Sequence, residues 1–240
     1  MEKWMVYNKK ADFQKIGSEF GIDPVIARLI RNRDIQDMKE IRSYLYGTLA
    51  EIPSPWKMKD MERAVQILQK KITQKKKIRI IGDYDIDGIQ STYILYCALK
   101  RIGAEADYVI PHRIRDGYGM NEHLVTQAAE AGIDTILTCD NGISAIDQIH
   151  LAKELGMTVV VTDHHEVPYI EENGVRREKI SEADAIVNPK QEACQYPFKK
   201  LCGAAVAWKL VQVLYEQAGI PVSEADRFIE NAGFATVGDV

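Results

Sequence analysis

The sequence predicts an α/β fold: a mostly parallel sheet of about five strands with helices on both faces, preceded by an N-terminal helical segment. Three observations predict it. Short β-branched runs recur from Ile78 onward, an amphipathic helical stretch separates most of them, and Gly103, Gly132 and Gly156 close those stretches. Runs joined in this way imply βαβ crossovers, which make neighbouring strands parallel. A chain of 240 residues with 46% hydrophobic content can bury a core of that size.

Residues 1–75 carry helical periodicity, with Phe13, Ile16 and Phe20 on one stripe and Ile26, Leu29 and Ile30 on the next. Pro53 and Pro55 interrupt it. A helix resumes over 59–73 with Met61, Ala64, Val65 and Leu68 on one face, and the run Lys75-Lys76-Lys77 reads as a solvated face. Residues 76–240 then form the second region. It has strands over 77–81, 106–110, 135–139 and 158–161, and a weaker one over 185–187. Helices are expected over 89–101, 122–131, 146–155 and 203–217, with a polar helix from Ser223. The helical segment is expected to pack on this second region. No internal repeat is visible.

Charged residues at 28% and aromatics at 8% exclude a disordered chain. No apolar run approaches the ~18 residues of a membrane span, and the first fifteen residues have no apolar stretch of the secretory kind. The four cysteines lack CxxC spacing and read as reduced thiols, not a disulfide framework or zinc knuckle. A net charge of −4 excludes a uniformly basic nucleic-acid coat but leaves room for a local basic groove. These features give the expectation of a soluble, cytoplasmic protein with no membrane partner.

Ligands of open parallel sheets bind at the carboxyl ends of the strands. The first strand runs into Gly82-Asp83-Tyr84-Asp85-Ile86-Asp87-Gly88, the third into Asp140-Asn141-Gly142, and the fourth into Asp163-His164-His165-Glu166. Five aspartates and two adjacent histidines thus reach one sheet edge. Like charges gathered in this way are unfavourable unless cations hold them. Carboxylates mixed with imidazole suit Mn²⁺ or Mg²⁺ better than a closed zinc site. Two such ions ~4 Å apart can clamp a phosphoryl group and supply the attacking hydroxide, which is phosphoester hydrolysis. Taken singly the motifs have plainer readings. The first resembles part of a calcium loop but lacks its closing Glu, and Asp140 or Asp163 could cap the next helix. His123 and His150 fall on helices away from the cluster and read as surface residues.

Together the three clusters resemble the DHH phosphoesterase superfamily. Pro111-His112-Arg113 with Gly117-Tyr118-Gly119 narrows the resemblance to its RecJ family of 5′-to-3′ exonucleases specific for single-stranded DNA. Residues 21–30, 56–64, Val187-Asn188-Pro189, 201–204 and 235–239 also resemble that family. The resemblance implies a DHH-type catalytic domain binding two Mn²⁺ ions, with Mg²⁺ as the alternative. Asp85 and Asp87 would each lead to one ion, with Asp83 beside them as ligand or outer acceptor. Asp140 would bridge, His164 would ligate, and Asp239 matches the last ligand. Asp163 would orient a histidine, and His165 would face the scissile phosphate. Arg113, His112 and Tyr118 would contact DNA phosphate.

The implied activity is exonucleolytic hydrolysis in DNA repair and recombination, with a helicase and a single-strand-binding protein as partners. The alternatives are a phosphodiesterase acting on short oligonucleotides or cyclic dinucleotides, and a non-catalytic nucleic-acid-binding relative. A phospho-acceptor receiver domain is about half this length and needs no DHH triplet. Family members continue into a DHH-associated domain and an OB-like domain, so the chain is expected to be an N-terminal fragment with weak or no activity of its own.

Overall fold

The computed structural model describes residues 3, 5, 9–172 and 174–239, and the chain divides into two compact units, Met1–Pro53 and Ser54–Val240. The first unit holds helices α1 (Phe13–Phe20), α2 (Pro24–Asn32) and α3 (Met38–Tyr46). Each begins at an aspartate whose carboxylate accepts a first-turn amide: Asp12 from Lys15, Asp23 from Val25, Asp37 from Lys39. Ile16, Phe20, Ala27, Ile30 and Ile41 form its core. The buried face of α2 is therefore Ala27 and Ile30. Ile26 and Leu29, expected to share that stripe, are exposed.

The second unit contains helix α4 (Met61–Thr73), strand β1 (Ile78–Ile81), α5 (Ile86–Arg101), β2 (Ala106–Val109), α6 (Glu122–Glu130), β3 (Thr135–Cys139), α7 (Ile146–Glu154) and β4 (Thr158–Thr162). These are followed by β5 (Tyr169–Glu172), β6 (Val175–Glu178), β7 (Ala185–Val187), α8 (Gly203–Gln217) and α9 (Ile229–Gly238). The sheet has the order β2-β1-β3-β4-β7, every pair parallel. Because β2 lies on one side of β1 and β3 on the other, the order reverses between β1 and β3. That reversal opens a crevice at their carboxyl ends.

Strand alternation gives each face of the sheet a core. Ile81, Ile136, Val159, Val161 and Ile186 pack with Leu124, Val125 and Ala128 of α6 and Ile149 and Ala152 of α7. Ile80, Leu137 and Val160, aligned across the ladder, bury on the other face, where α5 and α8 pack. Helix α5 in turn packs against α8 and α9.

Two features depart from the sequence expectation. The expected boundary near residue 75 falls at Pro53/Ser54, because α4 buries Met61, Ala64, Val65 and Leu68 and packs against α8 and β7. The second departure is an antiparallel hairpin, β5–β6, between β4 and β7. Its residues are exposed except Glu178, which is half-buried. The dipeptide Asn173-Gly174 is a hairpin signal, but the flanking Glu and Arg residues mask any apolar alternation.

Leu68 is fully buried, so Leu68→Ala should cost about 2–5 kcal/mol through lost burial and the cavity it leaves. Urea unfolding followed by the far-ultraviolet signal of the whole chain measures it. A smaller loss would mean that α4 is not part of the second unit's core.

Candidate metal centre

The parallel ladders end in step. Asp140 follows β3 and donates its amide to Thr162 O at the end of β4, while Asp163 follows β4 and donates to Val187 O. This brings the ends of β1, β3 and β4 to the crevice between β1 and β3. Helix α5 begins at Ile86, three residues earlier than its periodicity indicates, because Asp85 caps it by accepting the Gly88 amide at 2.8 Å. Gly88 is therefore helical, and a β-carbon there would lie 2.5 Å from Asp83 O. The acidic loop is thus the first turn of a helix, where the positive end of the dipole favours carboxylates.

Asp87, in that turn, reaches across the molecule. Its carboxylate accepts the Gly203 amide at 2.5 Å and the Ala204 amide at 2.7 Å, the first two of α8. Asp163 is fully committed within the protein. Its Oδ1 accepts the amides of His164 and His165 and the Nδ1–H of His165 at 2.8 Å, and its Oδ2 accepts the Ile143 amide. Burial opposes ionisation of Asp163, but His165 and these amides outweigh it and hold its carboxyl below the usual range. The same hydrogen bond raises His165 above the ordinary imidazole value, against burial. Asp163 thus holds the Nδ1 side of His165.

Other groups in the crevice are not satisfied by the protein. Asp83 Oδ2, both carboxylate oxygens of Asp140 and His164 Nε2 are buried with no hydrogen-bond partner among the described residues. His164 Nε2 lies 3.0 Å from Asp140 Oδ1, 3.4 Å from Asp87 Oδ2 and 3.7 Å from Asp239 Oδ2, off the directions a hydrogen bond needs. Burial, then the neighbouring Asp87, Asp85 and Asp163, push the Asp140 carboxyl far above the usual range. Burial likewise raises Asp83, although the Gly119 amide donates to it at 3.2 Å. Ligand atoms of Asp83, Asp85 and Asp140 lie within 4.8 Å of one another, as do those of Asp87, His164 and Asp239, and of Asp140, His164 and His165. Converging, partnerless carboxylate oxygens and one imidazole nitrogen are the donor set that hard or borderline divalent cations take. The residues fit such ions, and Asp140 belongs to two of the three groups.

The structure thus gathers Asp83, Asp85, Asp87, Asp140, Asp163, His164, His165 and Asp239. Asp239 arrives from the end of α9, where its amide bonds to Ala235 O. The residues expected on the DNA side lie on the loop after β2. Arg113 extends over the Tyr84 ring at 5.2 Å. His112 is turned back on its own loop, its Nδ1 facing the amides of Ile114 and Arg115 at 3.3 and 3.4 Å. Tyr118 is 47% exposed, but its hydroxyl turns toward the centre and donates to Asp140 O. His123 is exposed on α6, and His150 pairs with Glu182 at the surface. The α8 amides are functional groups that side-chain reasoning misses. So are Gly119 and Asn141, whose amide donates to Ile81 O and Cys139 O. The signal for the first was the segment Leu201-Cys202-Gly203-Ala204. The four cysteines are free thiols. Among the described residues no helix is long and apolar enough to cross a membrane.

The sequence profile of the DHH family, N-terminal domain, matches residues 77–231. The chain belongs to the DHH family. DHH relatives similar to it include the single-stranded-DNA-specific exonuclease RecJ of Bacillus subtilis, 36% identical over 99% of this chain and 28% of that protein. The Escherichia coli RecJ is 31% identical over 91% of this chain and 37% of its own length. The chain therefore spans about a third of these DHH proteins. Among solved structures, exonuclease RecJ bound to manganese has a TM-score of 0.65 at 32% identity, covering 76% of this chain and 44% of that one. RecJ of Thermus thermophilus in complex with Mn²⁺ has a TM-score of 0.72 at 26% identity, covering 99% and 32%.

Gly203 approaches Asp140 so closely that a β-carbon would lie 2.7 Å from its Cβ and Oδ1. Gly203→Ala should destabilise the fold by about 1–3 kcal/mol through overpacking. Isothermal titration should also show weaker Mn²⁺ binding. Unchanged titration curves would mean that Asp140 has room to move.

Proposed function

We propose that the chain is the metal-binding part of a phosphodiester hydrolase that removes nucleotides from the 5′ end of single-stranded DNA. The observation that carries the reading is the set of buried oxygens of Asp83 and Asp140, partnerless among the described residues, with His164 Nε2 3.0 Å from Asp140 Oδ1, in the sheet's crevice. The likeness to RecJ exonucleases and to their manganese-bound structures supports the choice of substrate and ion. Asp83, Asp85 and Asp140 would hold one cation, and Asp87, His164 and Asp239 the other, with Asp140 between them. Mn²⁺ suits this mixed set, and Mg²⁺ is the alternative. Bound as a pair, such ions stabilise the phosphoryl charge and activate the attacking water.

The chain's own residues do the rest. Asp87 is held by the first amides of α8, so its carboxylate cannot swing away. Asp163 fixes the Nδ1 side of His165, whose half-exposed ring is placed to donate to a phosphate oxygen or pass a proton to the leaving group. Arg113, anchored over Tyr84, offers bidentate donors to a phosphate of the incoming strand, with the Nε2 side of His112 beside it. Such strands arise in DNA repair and recombination in the cytoplasm, opened by a helicase and covered by a single-strand-binding protein.

Oligonucleotides carrying label at the 5′ or the 3′ end, incubated with the chain and Mn²⁺ or EDTA, test this directly. The expected product is 5′-labelled mononucleotide from the outset, in Mn²⁺ only. Cleavage of cyclic dinucleotides with the oligonucleotides left intact would transfer the site to small substrates. Asp140→Asn should reduce Mn²⁺ stoichiometry from two to one or none and lower hydrolysis by at least about a hundredfold. Unchanged stoichiometry would remove Asp140 from the bridging position.

A further inference from the structure

Tyr118 touches three parts of the centre at once. Its hydroxyl donates to the main-chain carbonyl of Asp140 at 2.8 Å and lies 3.1 Å from Nε2 and 3.3 Å from Nδ1 of His165. Its ring meets His165 and Tyr84 edge-on, with centroids 5.6 and 6.5 Å away. A phenol has one proton. Given to Asp140, it leaves only oxygen lone pairs facing the imidazole, while Asp163 takes the Nδ1–H. The nearly equal distances to the two ring nitrogens place the hydroxyl over the ring edge between them.

The neighbouring backbone holds the tyrosine in this attitude. Gly117 and Gly119 have φ of +76° and +62°. The Gly119 amide donates to Asp83, and a β-carbon on Gly119 would lie 2.9 Å from Asn141 Cβ. Asp140 itself has φ of +60°, a conformation that residues with a β-carbon adopt at a cost. The Tyr118 hydroxyl fixes the peptide plane that follows this strained residue. A strand contact would call for a phenol turned outward with its hydroxyl available. Here the hydroxyl points into the centre and its proton is engaged.

We propose that Tyr118 is a positioning residue. It fixes the Asp140 peptide and the His165 ring relative to each other, and turnover does not depend on its touching the nucleic-acid strand. The kinetic side of this inference rests on the exonuclease reading.

Tyr118→Phe keeps the ring and removes only the hydroxyl. With 5′-labelled oligonucleotide and Mn²⁺, the expected result is a fall in kcat of about tenfold with KM unchanged within about twofold. A rise in KM, alone or with a loss of turnover, would assign Tyr118 to strand binding and overturn the proposal. So would unchanged kinetics. A second measurement needs no turnover. In chain labelled with [15N]histidine and held in Mg²⁺, Tyr118→Phe should move the His165 ring resonances and leave those of His123 and His150 in place. Stationary His165 signals overturn the proposal even in an active enzyme. A wild-type chain that releases no label bears on the exonuclease reading alone, and the resonance comparison then decides this one.

Discussion

Four aspartates, Asp83, Asp87, Asp140 and Asp163, lie buried at one edge of one sheet, and the rest of the second unit is arranged around the cost of keeping them there. Carboxylates out of water must be neutralised, hydrogen-bonded or bound to cations. The fold uses hydrogen bonds for two of them. Asp87 takes the first amides of α8, and Asp163 takes three amides and an imidazole N–H. Asp83 and Asp140 keep oxygens that nothing among the described residues satisfies. Asp163 is thereby fixed within the protein, Asp87 is fixed with its Oδ2 still 3.4 Å from His164 Nε2, and Asp83 and Asp140 keep lone pairs to give.

The secondary structure follows from the same constraint. Two helices, α5 and α8, start at the crevice, so their positive ends face the acids. Glycines stand where backbone must approach a carboxylate: Gly88 against Asp83 and Gly203 against Asp140. The reversal of strand order between β1 and β3 creates the space. The last acid, Asp239, is brought in by the packing of α9 along α5.

The sheet was legible in the sequence because β-branched runs and single helices alternate with little interruption, and β3, β7 and α8 fall on the residues their patterns indicate. Asp83, Asp140, Asp163, His164 and His165 were legible because they follow strand ends directly, whereas Asp239, at the end of α9, was indicated only by the family resemblance. What escaped has physical causes. The early start of α5 is hidden by Gly88, a poor helix former that is needed here for close packing. The hairpin is charged on both strands, so period-two hydrophobicity gives no sign of it. The boundary was set after α4 because the strand–helix alternation begins only at residue 77, whereas the buried stripe of α4 ties it to α8. Main-chain donors such as those of Gly119 and Gly203 have no side chain to announce them.

The bond between Asp87 and the α8 amides joins residues 116 positions apart, and it sets an order of events during synthesis. A ribosome releases the acidic loop after β1 long before it releases residues 203–204, and Asp239 later still. Until then the loop has neither its amide anchors nor its final carboxylate. The nascent chain therefore carries all the strand-end acids of β1, β3 and β4 without a formed centre. The candidate site gains its α9 carboxylate only when that helix docks along α5, so the ligand set is assembled late by topology alone.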